Sequence, residues 1–563
     1  MNIRAFCIAA RAAAWVVGGG FGACSANAQT QTVGTFLNAP ASFHGYTLLD
    51  PMGSTSTHLI DNCGQVVQSW ESEYVSGGAA YLLEDGSLMR GCRVNGSFSG
   101  GGIGGRIERR AWDGELLWSL DWANDSTHHH HDFAFMPNGN VLVLAWEHRT
   151  VEEAAAAGRT NPQLMWPEAV FEVAPTFPEG GEVVWEWHAW DHLVQNVDPT
   201  LPHYGTPLDS PGRLDINHAS VGGGGGPGSA NSGDWMHANA VNYNPTLDCI
   251  AISSRRFNEI WIVDHNTTSE EATGAAGDLR YRFGNPEAYG AGDANARVLY
   301  GQHDVQWVPE GHPHAGNLVV YNNGDDRPGC SCSTVDVWAP PLLNDGSYAL
   351  EPGTAFGPEA FTWSYPEVPN AAFFSPNISG VDPQPNGNYV ICEGATGHLF
   401  EVTLDGTVVW DYVNPEGNFG ISPQGVNPQQ NNVFRAPRYA PDFPGFDGKD
   451  LTPGDPLEGP SDVPCVLHTA QDTVSTFADF PPRPSQLRAH PNPATSSVVV
   501  TFPVRGTWSL LDVRGKRLHA GAVNAPGMHP MELAGFPTGL LILHFQAEDN
   551  SPPEHLRIVH QTR

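Results

Sequence analysis

Four segments of this 563-residue chain share a turn proline, and each carries a polar residue six positions before it. His131 precedes Pro137 in this way, His303 precedes Pro309, Asn239 precedes Pro245 and Ser379 precedes Pro385; His237 lies two residues upstream of Asn239. Imidazole is the side chain best suited to nucleophilic attack and proton transfer near neutral pH. A purely structural position would hold Val, Ile or Gly, so imidazoles at a shared offset point to a site. Arg255, within Ser253-Ser254-Arg255-Arg256, follows the apolar run Cys249-Ile250-Ala251-Ile252 of the unit that carries His237 and Asn239. A guanidinium fork matches a planar or tetrahedral oxyanion. Imidazoles, an amide and an arginine concentrated in a chain of net charge −34 predict an anionic ligand. Two other chemistries stay open. The run His128-His129-His130-His131 could be a metal tract, and His131, His237 and His303 would suit zinc or copper, for a metal-dependent hydrolase or lyase, if they converged. Otherwise the 24 histidines are scattered over a non-catalytic, surface-binding protein.

The elements that must position these residues repeat along the chain. A Pro-x-Gly-Asn-like turn leads into an apolar strand, most clearly at Met136-Pro137-Asn138-Gly139-Asn140-Val141 and Gln384-Pro385-Asn386-Gly387-Asn388-Tyr389. Asn-Gly and Asp-Gly pairs make tight hairpins because they take positive φ cheaply. A second phrase closes each unit: Gly64 to Trp70, Gly114 to Trp118, Gly181 to Trp185 and Gly406 to Trp410, with Phe361-Thr362-Trp363 fainter and Tyr281-Arg282-Phe283 replacing Trp by Phe. Six such units, some spaced by 47 or 48 residues, predict an all-β, six-bladed propeller over 29–432, in preference to a two-sheet sandwich. Longer intervals carry insertions such as the run Gly222 to Gly226. Residues 433–489, rich in Pro, Asp and Gly, read as a linker, and 490–563 as a small C-terminal β-sandwich.

Composition agrees. Gly 63 and Pro 47 make about a fifth of the chain and charged residues only 16%, which disfavours helical bundles. The acidic balance excludes nucleic acid and anionic membranes as partners. Residues 1–28 read as an export signal, with Arg4, an apolar stretch and Ala26-Asn27-Ala28 before Gln29; lipoprotein processing at Cys24 is the rival reading. No later stretch is long and apolar enough for a membrane span. Seven cysteines remain after that cleavage, so at least one is unpaired within the chain, and Cys330-Ser331-Cys332 is a poor zinc half-site.

Two resemblances sharpen this reading. The stretch Asp234-Trp235-Met236-His237-Ala238-Asn239-Ala240-Val241, then Ile252 to His265, Gly301-Gln302-His303-Asp304-Val305-Gln306-Trp307 and His130-His131-Asp132 resemble the bacterial arylsulfate sulfotransferases over residues 44–415. The resemblance implies a six-bladed propeller and a transiently sulfated histidine. It implies no phosphoadenosine cofactor, an aryl sulfate donor and a phenolic acceptor. By motif His303 is the nucleophile, with His131, His237, Asn239 and Arg255 as supporting donors; the run leaves His130 and His131 interchangeable, and register favours His131. Pro491-Asn492-Pro493-Ala494, then Leu511 to Arg517 and Phe536-Pro537-Thr538-Gly539-Leu540, resemble the C-terminal sorting domain of type IX secretion substrates. That resemblance implies secretion or surface attachment through the type IX machinery. The characterised sulfotransferases lack such a tail, and the N-terminal β-domain that some of them carry is absent here.

Overall fold

The structure, a computed structural model, describes residues 31–222, 232–367, 369, 373–459, 465–468, 488–490, 497–502, 505–512, 516–524, 527–533, 535–547 and 554–560. It is nearly all-β, 42% strand and 7% helix. The chain forms two compact units, 1–469 and 470–563.

In the first unit, hairpin turns with positive φ at Gly86, Gly139 and Gly387 join neighbouring strands. Among the described residues six antiparallel sheets of four or five strands result, beside two sheets of two short strands. The second runs Ser76–Leu82, Leu88–Arg93, Gly105–Arg110 and Leu116–Asp121. The third runs Thr127–Phe135, Val141–Glu147, Glu168–Pro175 and Gly181–His188. The fourth runs Ala238–Asn244, Cys249–Ser254, Glu259–Asp264 and Tyr281–Phe283. The fifth runs Leu318–Asn322, Thr334–Trp338 and Trp363–Tyr365 after His303–Trp307. The sixth runs Gly380–Pro383, Tyr389–Glu393, His398–Val402 and Val408–Val413, with Gly34–Asn38 added outside. The first sheet, Tyr46–Leu49, Ser56–Ile60 and Val66–Glu71, takes its leading strand, Arg438–Tyr439, from the far end of the unit.

Each closing phrase of the sequence lies in the fourth strand of its own sheet, and its tryptophan ties that sheet to the next. The indole Nε1 of Trp70 donates to Ala111 O, that of Trp118 to Gly180 O, that of Trp185 to Thr267 Oγ1, and that of Trp363 to Leu404 O. Trp410 donates to Asn62 O at 2.8 Å, which returns from the sixth sheet to the first. Phe283, which has no N–H, stacks instead on Trp338 of the fifth sheet at 4.7 Å. Apolar side chains fill the space between neighbouring sheets, as Ile107 and Trp118 do against Phe133, Val143 and Phe171. Each such fully buried side chain contributes roughly 1.5–3 kcal/mol.

Residues 433–446, which by composition open a linker, are packed into this unit. Val433 and Ala436 join the apolar cluster between the sixth and first sheets, and Phe446 the one between the first and second. Arg438 is fully buried because Glu401 accepts from its Nη1 at 2.6 Å and Thr47 from its Nε at 2.9 Å. A disulfide joins Cys63 to Cys465 across 402 residues, and Cys330 pairs with Cys332 rather than offering a metal half-site. Cys92, Cys249 and Cys392 are free and buried.

The second unit has two antiparallel sheets, of three and four strands, sharing an apolar cluster that includes Val498, Val500, Leu510, Leu541 and Phe545. The expected export signal at 1–28, most of the run Gly222 to Gly226, Pro491-Asn492-Pro493-Ala494 and Val513-Arg514-Gly515 lie outside the described residues. Among the described residues no helix is long and apolar enough to cross a membrane.

Candidate active site

The first strands of the third, fourth and fifth sheets lie side by side and all break register at or just beyond the candidate histidines. Such a bulge re-aims side chains. The backbone turns left-handed at His131 (φ 56°), His237 (φ 51°) and Asp304 (φ 58°), and at Ile378 (φ 55°) beside the first strand of the sixth sheet. Non-glycine residues hold this conformation at a cost of about 1–3 kcal/mol each, and such strain gathers at functional sites.

The bulges open onto a cavity of about 570 Å³ lined by His131, His237, Arg255 and His303. Met52, Phe98, Ile103, Ile378 and Phe434 supply an apolar wall, suited to a planar ring. His131 and His237 meet edge-on with ring centroids 4.7 Å apart.

The partners of His303 set its tautomer. Its Nδ1 faces Asn323 Oδ1 at 2.8 Å and Gly301 O at 3.1 Å, both acceptors. Asn323 is oriented by donating its Nδ2 to Ser375 O at 2.8 Å. The proton therefore sits on Nδ1, and Nε2 keeps its lone pair. Burial, then the nearby Arg255 guanidinium, hold this imidazole well below the usual histidine range, so it is neutral at pH 7. Ser379, aligned with His303 by sequence, lies behind it and donates to Asn323 Oδ1 at 3.2 Å.

Arg255 donates to Asp325 Oδ2 at 2.6 Å and to Pro376 O, while its Nε is buried without a partner among the described residues. An unpaired buried guanidinium N–H at the cavity suits an oxyanion. His237 Nδ1 bonds Asp234 Oδ2 at 2.5 Å. Burial raises the Asp234 carboxyl, but His237 and Arg256 outweigh it and hold the group below its ordinary range.

The structure separates the four-histidine run. His131 lines the cavity; His130 stands behind it, Nδ1 to Nδ1 at 2.8 Å, and bonds Glu168 Oε2 through Nε2 at 2.8 Å. His128 and His129 are buried, and that burial lowers them to about 4 and about 3. Among the described residues no group of three His, Cys, Asp or Glu is arranged to hold a metal ion. Asn239 departs from its expected place as a ligand donor. It is fully buried outside the cavity lining, at the register break of its strand, and its Nδ2 is committed to Gln302 O at 2.8 Å.

Several residues escaped the sequence reading. Arg435, in the supposed linker, is buried beneath the histidines, with Nη1 at 2.8 Å from Asp132 and Nε at 3.1 Å from Asp304. The repeated His-Asp pairs 131–132 and 303–304 were the available signal. Asp132 accepts from Val241 N at 2.9 Å and Asp304 from Val381 N at 2.9 Å, so each ties its histidine-bearing strand to the next sheet. The run Gly100-Gly101-Gly102 also lines the cavity. Gly102 (φ 74°) lies so close that a Cβ would fall 2.0 Å from His131 Nε2.

No curated protein matches this chain in sequence. Among solved structures, a protein of unknown function from Bacteroides caccae is 11% identical, with 70% of this chain and 98% of that one covered at a TM-score of 0.37. A protein from Lactobacillus plantarum is 10% identical, with 87% and 100% covered and a TM-score of 0.34. A catalytically inactive virginiamycin B lyase from Staphylococcus aureus is 8% identical, with 69% and 86% covered and a TM-score of 0.29. A family model for the arylsulfotransferases matches residues 49–334, which contain His131, His237, Arg255 and His303. With half of its length matched and these four side chains gathered at one cavity, the chain belongs to the arylsulfotransferase family.

Proposed function

We propose that the six sheets of the first unit are the blades of a propeller, and that the cavity transfers a sulfuryl group from an aryl sulfate to a phenol through His303. Family membership supports arylsulfotransferase-type function in general. The observation that carries the finer reading is the pair of acceptors at His303 Nδ1, which leaves Nε2 its lone pair, on a ring that lines the same cavity as Arg255. In the first half-reaction Nε2 bonds to sulfur as the bond from sulfur to the aryl oxygen breaks. The phenolate leaves, takes a proton, and sulfohistidine remains. In the second, a phenol oxygen attacks sulfur, its proton is taken up, and His303 is restored. The departing group is exchanged directly, so no phosphoadenosine phosphosulfate is needed. Arg255 and His237 hold the sulfuryl oxygens as charge develops on them, and His131 faces the phenol oxygen.

Export belongs to the same proposal: an N-terminal signal at 1–28, and type IX sorting by a C-terminal β-sandwich at 490–563. The two sheets and shared apolar cluster of the second unit support the sandwich.

His303→Ala tests the chemistry. The variant should melt like the parent yet fail to move sulfate from p-nitrophenyl sulfate to phenol. Full activity in that variant would remove His303 as the nucleophile. Turnover that requires phenol and survives a chelator separates the transferase from a metal-dependent hydrolase, and absence of turnover from either protein would favour a binding role.

A further inference from the structure

The side chains behind His131 form an unbroken hydrogen-bonded line leading away from the cavity. Glu168 Oε2 meets His130 Nε2 at 2.8 Å, and His130 Nδ1 meets His131 Nδ1 at 2.8 Å. Glu168 and His130 are fully buried and His131 is 3% exposed, so bulk water does not reach the line from behind. Its geometry is fixed on each side. Glu168 Oε1 accepts from Ala238 N at 2.8 Å, and the His130 ring stacks on Trp146 at 4.0 Å. His131 is tied to His130 through Nδ1, and its ring lines the cavity.

We propose that Glu168, His130 and His131 are a proton relay, in which Glu168 stores the proton that the leaving phenolate takes and the incoming phenol returns. This rests on the sulfuryl-transfer reading above. The line has two consistent orientations. With Glu168 protonated, its O–H donates to His130 Nε2, His130 Nδ1–H donates to His131 Nδ1, and His131 Nε2–H points into the cavity as a donor. With Glu168 ionised, every bond reverses and His131 Nε2 presents a lone pair. When the phenolate takes the proton from His131 Nε2, one proton shifts from His130 to His131 and one from Glu168 to His130. Both imidazoles stay neutral, and the carboxylate appears only at Glu168. The acceptor phenol runs the line backwards. Glu168 and His130 act through His131 and are positioning residues; His131 is the group that touches the phenol.

The surroundings agree with the protonated resting form. Burial pushes the Glu168 carboxyl well up and both imidazoles well down. The charged and titratable groups that face the line are Asp234 and His237 at Glu168 and His130, Asp132 at His130, and His237, His303 and Arg435 at His131.

The test compares two donors in the full-length protein and in Glu168→Gln, with folding followed by circular dichroism. Glutamine keeps the shape and a hydrogen bond to His130 but releases no proton. Phenyl sulfate, whose leaving group is strongly basic, should lose roughly a hundredfold in kcat/KM, the scale of general acid catalysis, while p-nitrophenyl sulfate should stay within about threefold. Equal loss on both donors, or loss on neither, overturns the relay. If the variant does not fold, the parent decides: its solvent isotope effect should be larger with phenyl sulfate than with p-nitrophenyl sulfate, and equal effects overturn the relay. Absence of transfer by the parent from either donor would remove the underlying reading and the relay together, whereas transfer with uniform loss removes the relay alone.

Discussion

At the scale of single residues, the proposed transfer separates attack from charge stabilisation. His303 is kept neutral by burial and by Arg255, and its Nδ1 is occupied, so what it offers the substrate is a lone pair. Arg255 offers the complement, a guanidinium with one buried N–H unused. Losing one preorganised donor of this kind costs about 2.7–4 kcal/mol, or about 10²–10³ in kcat. Arg255→Ala should therefore lose that much in kcat on p-nitrophenyl sulfate and melt close to the parent, because the Asp325 side chain it abandons is 40% exposed and can be hydrated. A loss of less than about threefold would place the oxyanion contacts elsewhere.

At the scale of elements, the strand Thr127–Phe135 carries an unusual load, four consecutive histidines with almost no solvent. His129 is lowered to about 3, first by burial and then by His130 and His128, and its Nδ1 accepts from Gly105 N at 3.2 Å. Below its ordinary value near 6.5 the unfolded chain takes up a proton that the folded strand refuses. The contribution of His129 to stability is thus present above pH 6.5 and is lost as pH falls, by up to about 1.4 kcal/mol per pH unit. Urea titrations at pH 6.5 and 4.5 should show that His129→Gln loses less stability than the parent over that interval, by up to about 2.7 kcal/mol. Identical losses would mean that His129 titrates alike in the folded and unfolded chain.

At the scale of the whole molecule, a net charge of −34 opposes an anionic substrate at long range, while Arg255 attracts it only at contact. Exposed charges are screened over about 8–10 Å near physiological salt. For one aryl sulfate, kcat/KM should rise as salt is added from about 10 mM to 150 mM, then fall as anions compete at the site. A monotonic decline from the lowest salt would show that the local cluster governs encounter. The same scale explains how the unit is held shut. Gly34–Asn38 joins the sixth sheet, Arg438–Tyr439 the first, and Cys63–Cys465 links positions 402 residues apart.

Much of this was legible along the chain because the signals are local. A closing phrase marks the fourth strand of each sheet, since its tryptophan must reach the next sheet's turn, and the offset from the turn proline found His131 and His303 because first strands share one register. Placement in the same unit added His237 and Arg255, and the family motifs gave them roles. The tertiary structure alone decided the rest. Of the expected donors His237 and Asn239, only His237 lines the cavity; its left-handed backbone and the register break after it are features no residue count shows. Arg435 lies some three hundred residues from Asp132 and in a segment whose Pro-rich composition says loop; only closure of the sheets brings it beneath the histidines. Whether His130 or His131 faces the cavity, and that Glu168 stands behind them, depends on packing within the third sheet and against the fourth, and burial, not residue type, decides which of these imidazoles and carboxyls carry a proton.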